Sequence, residues 1–203
     1  MKSWESFEIR VVKALENAGW RCVRSCYITN SGTTSQVDII AVSNYGVLAV
    51  ECKSHELDVL MKGKFGDNLI GYKSNTEIFC ENVFKQSDTH ARQVFLSGVK
   101  LEEKLGRTFA PVHSVIVFGH IGKVIRVRKD FVNRIFDKQG LSAEKIIDKL
   151  KLYRVYNDDE ITTITEYFNQ FCDTSQERVE QHVAYIQHCI ETKAGMWDEE
   201  QNI

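Results

Sequence analysis

The stretch from Val37 to Lys53 constrains the fold of this chain more than any other part. It contains two apolar runs of strand length, separated by a short segment that includes Asn44 and Gly46. Asparagine and glycine are common in tight turns, because they tolerate backbone conformations that other residues avoid. Two apolar runs on either side of such a turn predict an antiparallel β-hairpin.

The register of this hairpin determines which polar side chains meet. If Val42 faces Val47 across the turn, Asp38 falls opposite Glu51. Because side chains alternate with period two, we expect Asp38, Glu51 and Lys53 on one face. Two carboxylates directly across a ladder repel each other, and in an apolar hairpin they favour a cation between them. The pattern therefore predicts a metal site.

A second carboxylate candidate lies in the first helix. Apolar residues at helical spacing predict a helix over residues 3–18, which Gly19 is placed to end. Glu8 borders the apolar stripe of this helix rather than its solvent face. It can be a functional carboxylate or a boundary residue that reaches water, Arg10 or Lys13.

The cysteines and the apolar runs indicate the compartment. The longest apolar runs are too short for a transmembrane helix, and the first residues lack the apolar core of a secretory signal. No two cysteines form a Cys-x-x-Cys pair, so we expect reduced thiols in a cytoplasmic protein without membrane contact. The six cysteines are Cys22, Cys26, Cys52, Cys80, Cys172 and Cys189.

Charge is distributed unevenly along the chain. Residues 155–203 hold 2 Lys and Arg against 11 Asp and Glu, whereas residues 1–154 hold 24 against 17. A basic body is compatible with a polyanionic ligand. Solvated faces of both signs are the alternative. The acidic C-terminal helices leave open a homodimer or a protein partner.

The order of the remaining segments predicts an α/β fold with a central mixed β-sheet flanked by helices. From periodicity and turn residues we expect a strand at 19–28, a loop at 29–36, a long loop or irregular ribbon at 54–82, a helix at 82–105, strands at 112–118 and 123–127, and helices at 142–152, at 159–172 and from Thr174. We divide the chain into a core at 1–130 and a helical C-terminal subdomain at 131–203, packed on the core.

Residues of the first helix, the hairpin and the later helix together resemble a known family. They are Phe7, Glu8, Val11, Leu15 and Gly19 of the first helix, residues 36–42 and 46–53 of the hairpin, and Asn82, Gln86 and His90 of the later helix. The set resembles the nuclease-related NERD domain of the PD-(D/E)XK nuclease superfamily over about residues 5–127, with a second likeness to Mrr-type restriction endonucleases. Val37 and Val83 stand where proline is common in the superfamily and in NERD sequences, respectively.

The resemblance implies a restriction-endonuclease-like core and a Mg²⁺-dependent deoxyribonuclease that hydrolyses phosphodiester bonds. Mg²⁺ or Mn²⁺ would be held by Asp38, Glu51 and the backbone carbonyl of Cys52, because these hard cations prefer oxygen ligands. Lys53 would assist the attacking water or the phosphate. Glu8 would orient the metal ligands or bind a second ion.

The later helix and the basic residues complete the implied site. Gln86 would act in catalysis by contacting the water, the lysine or the phosphate. DNA is the expected partner, with RNA as an alternative. The other function left open is a non-catalytic nucleic-acid-binding or partner-recruiting module on the same fold. The candidates for nucleic-acid contact are Lys62, Lys64, Lys73, Asn82, His90, Lys123, Arg126 and Arg128.

Overall fold

The computed structural model describes residues 3–30, 33–63 and 68–172, in which helices lie on both faces of one mixed seven-stranded sheet. The strands are β1 Arg21–Asn30, β2 Thr33–Ser43, β3 Gly46–Lys62, β4 Leu69–Lys73, β5 Thr76–Glu81, β6 Val112–Ile125 and β7 Ile135–Asp137. The helices are α1 Ser3–Asn17, α2 Val83–Gly98, α3 Glu102–Leu105, α4 Lys129–Val132, α5 Ala143–Leu150 and α6 Asp158–Asn169, with short 3₁₀ turns at Val99–Leu101 and Lys138–Gly140. The helix expected from Thr174 lies outside the described residues.

Strand β3 is the centre of the sheet and changes partners along its length. Its first half pairs antiparallel with β2, as far as Ile39 opposite Val50. Its last residues, from Val59, pair antiparallel with β4 on the same side. On the other side β3 pairs with β6 in parallel. Residues 51–58 of β3 therefore have no strand partner on the β2 side among the described residues, and we call them the open stretch.

The two faces of the sheet bury separate apolar clusters. The helices α1 and α5 cover one face, where Phe7, Val11 and Leu15 pack against strand residues. The helices α2 and α6 cover the other face, where Val94 and Phe168 are fully buried. Burial of apolar side chains on both faces explains why the second half of β2 and the first half of β3 read as nearly continuous hydrophobic runs.

The predicted hairpin and its register are confirmed. Val42 lies opposite Val47, and Ser43 lies opposite Gly46. The turn uses a positive φ of 120° at Gly46, a conformation that favours glycine. The α/β class, the central mixed sheet and the flanking helices are also as predicted.

The prediction of a long loop or irregular ribbon at 54–82 is wrong. Strand β3 continues to Lys62, and β4 and β5 form a hairpin whose turn residues Ser74 and Asn75 have positive φ. Widely spaced apolar residues, including Leu57 and Leu60, pack this extension against α2, and the exposed positions between them are mostly polar. The loop expected at 29–36 is likewise shorter, because β1 and β2 extend into it.

The two strands expected at 112–118 and 123–127 are one continuous strand, β6. Gly119 and Gly122, between the two expected strands, lie where β6 passes close to the backbone of β3. A Cβ atom at Gly119 would lie 2.7 Å from the carbonyl oxygen of Ser54, and one at Gly122 would lie 2.7 Å from that of Asp58. Glycine is therefore required for close approach rather than for a turn.

The C-terminal part of the described chain contributes to the same sheet. Strand β7 pairs in parallel with β6, and α5 and α6 pack on opposite faces. The division at residue 130 remains a sequence-based prediction. None of the helices within the described ranges is long and apolar enough to cross a membrane.

Candidate active site

The candidate site lies where β2 separates from β3. The last backbone pair between them is Ile39 with Val50, so the next position places Asp38 opposite Glu51. Asp38 does not continue the ladder through its backbone. Instead its Oδ2 accepts a hydrogen bond of 2.8 Å from the backbone N–H of Cys52. A side-chain acceptor thus satisfies a donor that the departing strand leaves unpaired.

Glu51 is 3 % exposed and has a different neighbour at each carboxylate oxygen. Its Oε1 lies 3.2 Å from Nζ of Lys53, and its Oε2 lies 3.0 Å from Nδ1 of His90. The second contact is not aligned as a hydrogen bond, and neither of its atoms has another hydrogen-bond partner among the described residues. A buried carboxylate oxygen without a donor is costly and favours a cation.

Lys53 has three acceptors around its ammonium group. Its Nζ lies 2.7 Å from Oε2 of Glu81, 3.2 Å from Oε1 of Glu51 and 3.2 Å from Oε1 of Gln86. Three acceptors match the three N–H donors of an ammonium. Burial lowers the pKa of Lys53, but the two carboxylates outweigh this effect and raise the pKa above its usual value. The lysine is therefore held as a cation.

Glu8 lies on α1, which covers the other face of the sheet from α2, and its charge acts on Asp38. It is 6 % exposed, so the alternative in which it extends into water is wrong. Burial raises the pKa of Asp38 well above its usual range, and the negative charges of Glu51 and Glu8 raise it further. The N–H of Cys52 acts in the opposite direction. Glu51 and Glu8 thus both act on Asp38 at the gap.

Helix α2 brings Gln86 and His90 of the later helix to the site. The helix begins at Val83, and the side chain of Asn82 caps it by accepting a 3.1 Å hydrogen bond from the N–H of Lys85. The four-residue spacing then places Gln86 beside Lys53 and His90 beside Glu51. Asn82 therefore has a structural role as the cap, and the buried His90 belongs to the carboxylate cluster.

The site brings together the carboxyl groups of Glu8, Asp38, Glu51 and Glu81. Their oxygens are hard ligands of the kind that Mg²⁺ and Mn²⁺ prefer. Within residues 3–30, 33–63 and 68–172, no three His, Cys, Asp or Glu side chains come together closely enough to hold a metal ion. A set of two carboxylates and the carbonyl of Cys52 does not require a third such side chain.

The residues predicted to bind nucleic acid lie largely apart from this site. Lys62, Lys123 and Arg126 are exposed near the end of the sheet where β3 and β6 finish. Lys73 pairs with Glu56 at 3.0 Å, and Arg128 pairs with Asp130 at 2.8 Å, so both charges are partly neutralised. Lys64 lies outside the described residues.

Sequence reasoning missed Glu81. This residue ends β5, inside the segment that was expected to be a loop, and its carboxylate makes the shortest contact to Lys53. A local signal was present, because Glu81 directly precedes the cap residue Asn82. Only the pairing of β5 with β4 brings it to the lysine.

Comparison with known proteins gives one family. The family model described as "NERD: Nuclease-related domain" matches residues 3–119. No curated protein matches the chain. Among solved structures, the chain is similar to the one titled "Crystal Structure of Protein of Unknown Function AF1548", with 14% identity and a TM-score of 0.41, over 93% of this chain and 98% of that chain.

Proposed function

Because the chain belongs to the NERD, or nuclease-related domain, family, we propose that it is a metal-dependent nuclease that hydrolyses phosphodiester bonds in DNA. One observation carries this proposal. At the gap between β2 and β3, two carboxylates lie beside a lysine that is held as a cation. Phosphodiester hydrolysis needs a means of activating water and a positive charge near the phosphate, and this arrangement offers groups for both.

In this proposal Asp38, Glu51 and the carbonyl of Cys52 hold Mg²⁺ or Mn²⁺. When bound, such an ion lowers the pKa of a water molecule and polarises a phosphoryl oxygen. The buried Oε2 of Glu51, which lacks an aligned donor, is the most direct support for a cation at this point. Glu8 acts from α1 by orienting these ligands or binding a second ion.

The side chains around Lys53 position it for the phosphate. Its ammonium neutralises charge that develops on the phosphoryl oxygens, and Gln86 orients the water or the phosphate beside it. Glu81 makes the shortest contact to the ammonium.

The spacing of the exposed basic residues supports a duplex as the substrate. Lys62 follows Glu51 by eleven residues on the same strand, which corresponds to roughly 35 Å in extended conformation. One turn of B-DNA is also about 34–36 Å long. In this proposal a duplex contacts the candidate active site at one end. It contacts Lys62, Lys123 and Arg126 about one helical turn of DNA away.

Plasmid cleavage with and without Mg²⁺ or Mn²⁺ tests the proposal. We expect nicking or linearisation by the wild type, loss of cleavage on chelation, and loss in Lys53→Ala and Glu51→Gln. Lys100→Ala removes an exposed lysine beyond the end of α2 and is the matched control, which we expect to cleave normally. The midpoint of thermal unfolding, measured with each ion, reports metal binding independently of cleavage.

Four nucleic-acid substrates test which molecule is cleaved. Supercoiled plasmid, linear duplex, single-stranded DNA and RNA are each incubated with both ions. Cleavage confined to RNA would correct the substrate while retaining the chemistry. No metal-dependent cleavage of any of the four would contradict the nuclease proposal.

A non-catalytic nucleic-acid-binding module is the second candidate. The observation that favours it is that Lys53 already has three acceptors within the chain, while no three ligating side chains among the described residues come together around a metal. Binding to DNA that weakens with salt, is unaffected by divalent ions and survives Lys53→Ala would support this candidate.

A further inference from the structure

Two cysteines far apart in sequence are in contact. Sγ of Cys26, on β1, lies 3.3 Å from Sγ of Cys172, three residues beyond the end of α6. The two residues are separated by 146 positions. All five cysteines in the described part of the chain are free thiols. A covalent bond of ~2.05 Å requires the sulfur atoms to approach by only about 1.3 Å.

The backbone around this pair is already ordered for a bond. The N–H of Tyr27 donates a 3.0 Å hydrogen bond to the carbonyl oxygen of Phe171. This bond joins the residues adjacent to the two cysteines, so β1 and the end of α6 are held together by their backbones. Phe168 of the same helix is fully buried against the β1 side of the sheet. This backbone contact beside the pair keeps the two sulfur atoms near each other.

We propose that Cys26 and Cys172 form a redox site, in which a peroxide converts the two thiols into an intramolecular disulfide that joins β1 to the end of α6. This inference does not depend on the proposed nuclease activity. It concerns a part of the chain that the carboxylates and Lys53 do not use.

The two thiols have different roles in this reaction. Cys172 is partly exposed, whereas Cys26 is fully buried. The neighbouring thiol of Cys26 lowers the pKa of Cys172, which outweighs the effect of burial, and Arg24 acts in the same direction. Hydrogen bonding to Cys172, together with burial, raises the pKa of Cys26. Because Cys172 is the more exposed of the two, it is the thiol that a peroxide reaches and that attacks, and Cys26 is the one that resolves.

The reaction balances in two steps. The thiolate of Cys172 attacks one oxygen of hydrogen peroxide, the O–O bond breaks, and a sulfenic acid and hydroxide form. Sγ of Cys26 then attacks Sγ of Cys172 and displaces the hydroxyl group, which leaves as water with the proton of Cys26. Two thiols and one peroxide thus give one disulfide and two waters. A thiol reductant reverses the change.

The disulfide would lie next to Ser25, the β1 residue opposite Asp38 of the candidate active site. In the β1–β2 ladder, Arg24 pairs with Ile39 and Cys26 pairs with Val37. Ser25 and Asp38 are the residues between these pairs, and Ser25 has a positive φ of 51°. Cys26 is therefore adjacent to the irregular residue opposite Asp38, and oxidation there would stiffen the strand next to the site.

Peptide mapping of the full chain tests the proposal. The reduced protein is treated with a small excess of hydrogen peroxide, alkylated, and digested with trypsin and chymotrypsin together. Arginine, lysine and aromatic residues in the sequence then place all six cysteines on separate peptides. We expect the peptide of Cys26 to be linked to that of Cys172, and the link to disappear on reduction.

Variants and stability provide the second measurement. The oxidised wild type should unfold at a midpoint roughly 5–10 °C higher than the reduced form, because the disulfide closes a long loop. Cys26→Ala and Cys172→Ser should lose this shift. Cys80→Ser, which removes an exposed thiol on β5, is the matched control and should keep it.

Three results would overturn the proposal. Cys172 linked to Cys189 would assign the oxidation to a different pair. Cys172 recovered as sulfinic acid, with Cys26 alkylated as a free thiol, would show that no resolving step occurs. Peroxide-treated protein without any linked peptide would show that the two thiols do not react. The wild-type map alone distinguishes these results, so it remains decisive if a variant fails to fold.

Discussion

Asp38 accepts a hydrogen bond from the backbone N–H of Cys52 at the point where β2 leaves β3. The bond explains why a carboxylate is compatible with this buried position, since it satisfies a donor in the open stretch of β3. It also holds Asp38 near Glu51, although like charges repel. The fold therefore keeps an unfavourable charge arrangement that a cation would relieve.

The first prediction concerns Asp38→Asn. The amide keeps an oxygen that can accept from the N–H of Cys52. It removes a carboxyl group whose pKa is raised by burial and by the charge of Glu51. Without divalent ions at neutral pH, we expect the free energy of unfolding to rise by about 1–2 kcal/mol, and cleavage to be lost. Urea denaturation measures the first effect. Glu166→Gln, which removes an exposed charge on α6, should change stability by less than about 0.5 kcal/mol.

The second prediction concerns Glu81→Gln. This change weakens the shortest contact to Lys53 while leaving Glu51 and Gln86 in place. If Glu81 positions the ammonium, kcat for duplex cleavage should fall by roughly 10-fold with little change in KM, since a hydrogen bond to a charged group is worth about 1.5–3 kcal/mol. Glu77→Gln, at an exposed position on the same strand, is the control. Equal rates for the two variants would assign Glu81 no role.

The third prediction concerns Gly119→Ala. The added Cβ would lie 2.7 Å from the carbonyl oxygen of Ser54, so β6 and β3 must separate locally. We expect a loss of about 1–3 kcal/mol in the free energy of unfolding, measured by chemical denaturation. Lys123→Ala on the exposed side of the same strand should cost less than about 0.5 kcal/mol. A neutral Gly119→Ala would show that the strands can relax.

The fourth prediction concerns pH and Lys149. Burial, with a smaller effect of Lys145, lowers the pKa of Lys149 to about 8. The unfolded chain binds this proton up to a pH of about 10.4, so between these values it holds more protons than the folded chain. The free energy of unfolding therefore rises with pH between about 8 and about 10.4. The gain from deprotonated Lys149 is lost again as pH falls through about 8.

Lys149→Met is the variant that measures this effect. Relative to Lys149→Met, the wild type should gain about 1–2 kcal/mol in the free energy of unfolding between pH 8 and about 10.4, a value reduced because the side chain is only half-buried. Urea denaturation of both proteins at several pH values in this range gives the difference. Parallel pH profiles would contradict the prediction.

Local sequence patterns predicted the hairpin and the first helix. The turn residues between two apolar runs determined the register that places Asp38 opposite Glu51. Helical periodicity placed Glu8 on α1, and the spacing of Gln86 and His90 on α2. These features depend on residues a few positions apart, so the sequence carries them directly.

Contacts between distant segments were decided by the tertiary structure alone. The apolar residues of the β4–β5 hairpin lie in short pieces without a strand period, and pairing with β3 rather than their own pattern makes it a hairpin of strands. That pairing brings Glu81 to Lys53. The contact of Cys26 with Cys172 similarly arises because α6 packs on β1. The sequence by itself therefore determined the carboxylates and the lysine, whereas their neighbours depend on long-range packing, which local periodicity does not encode.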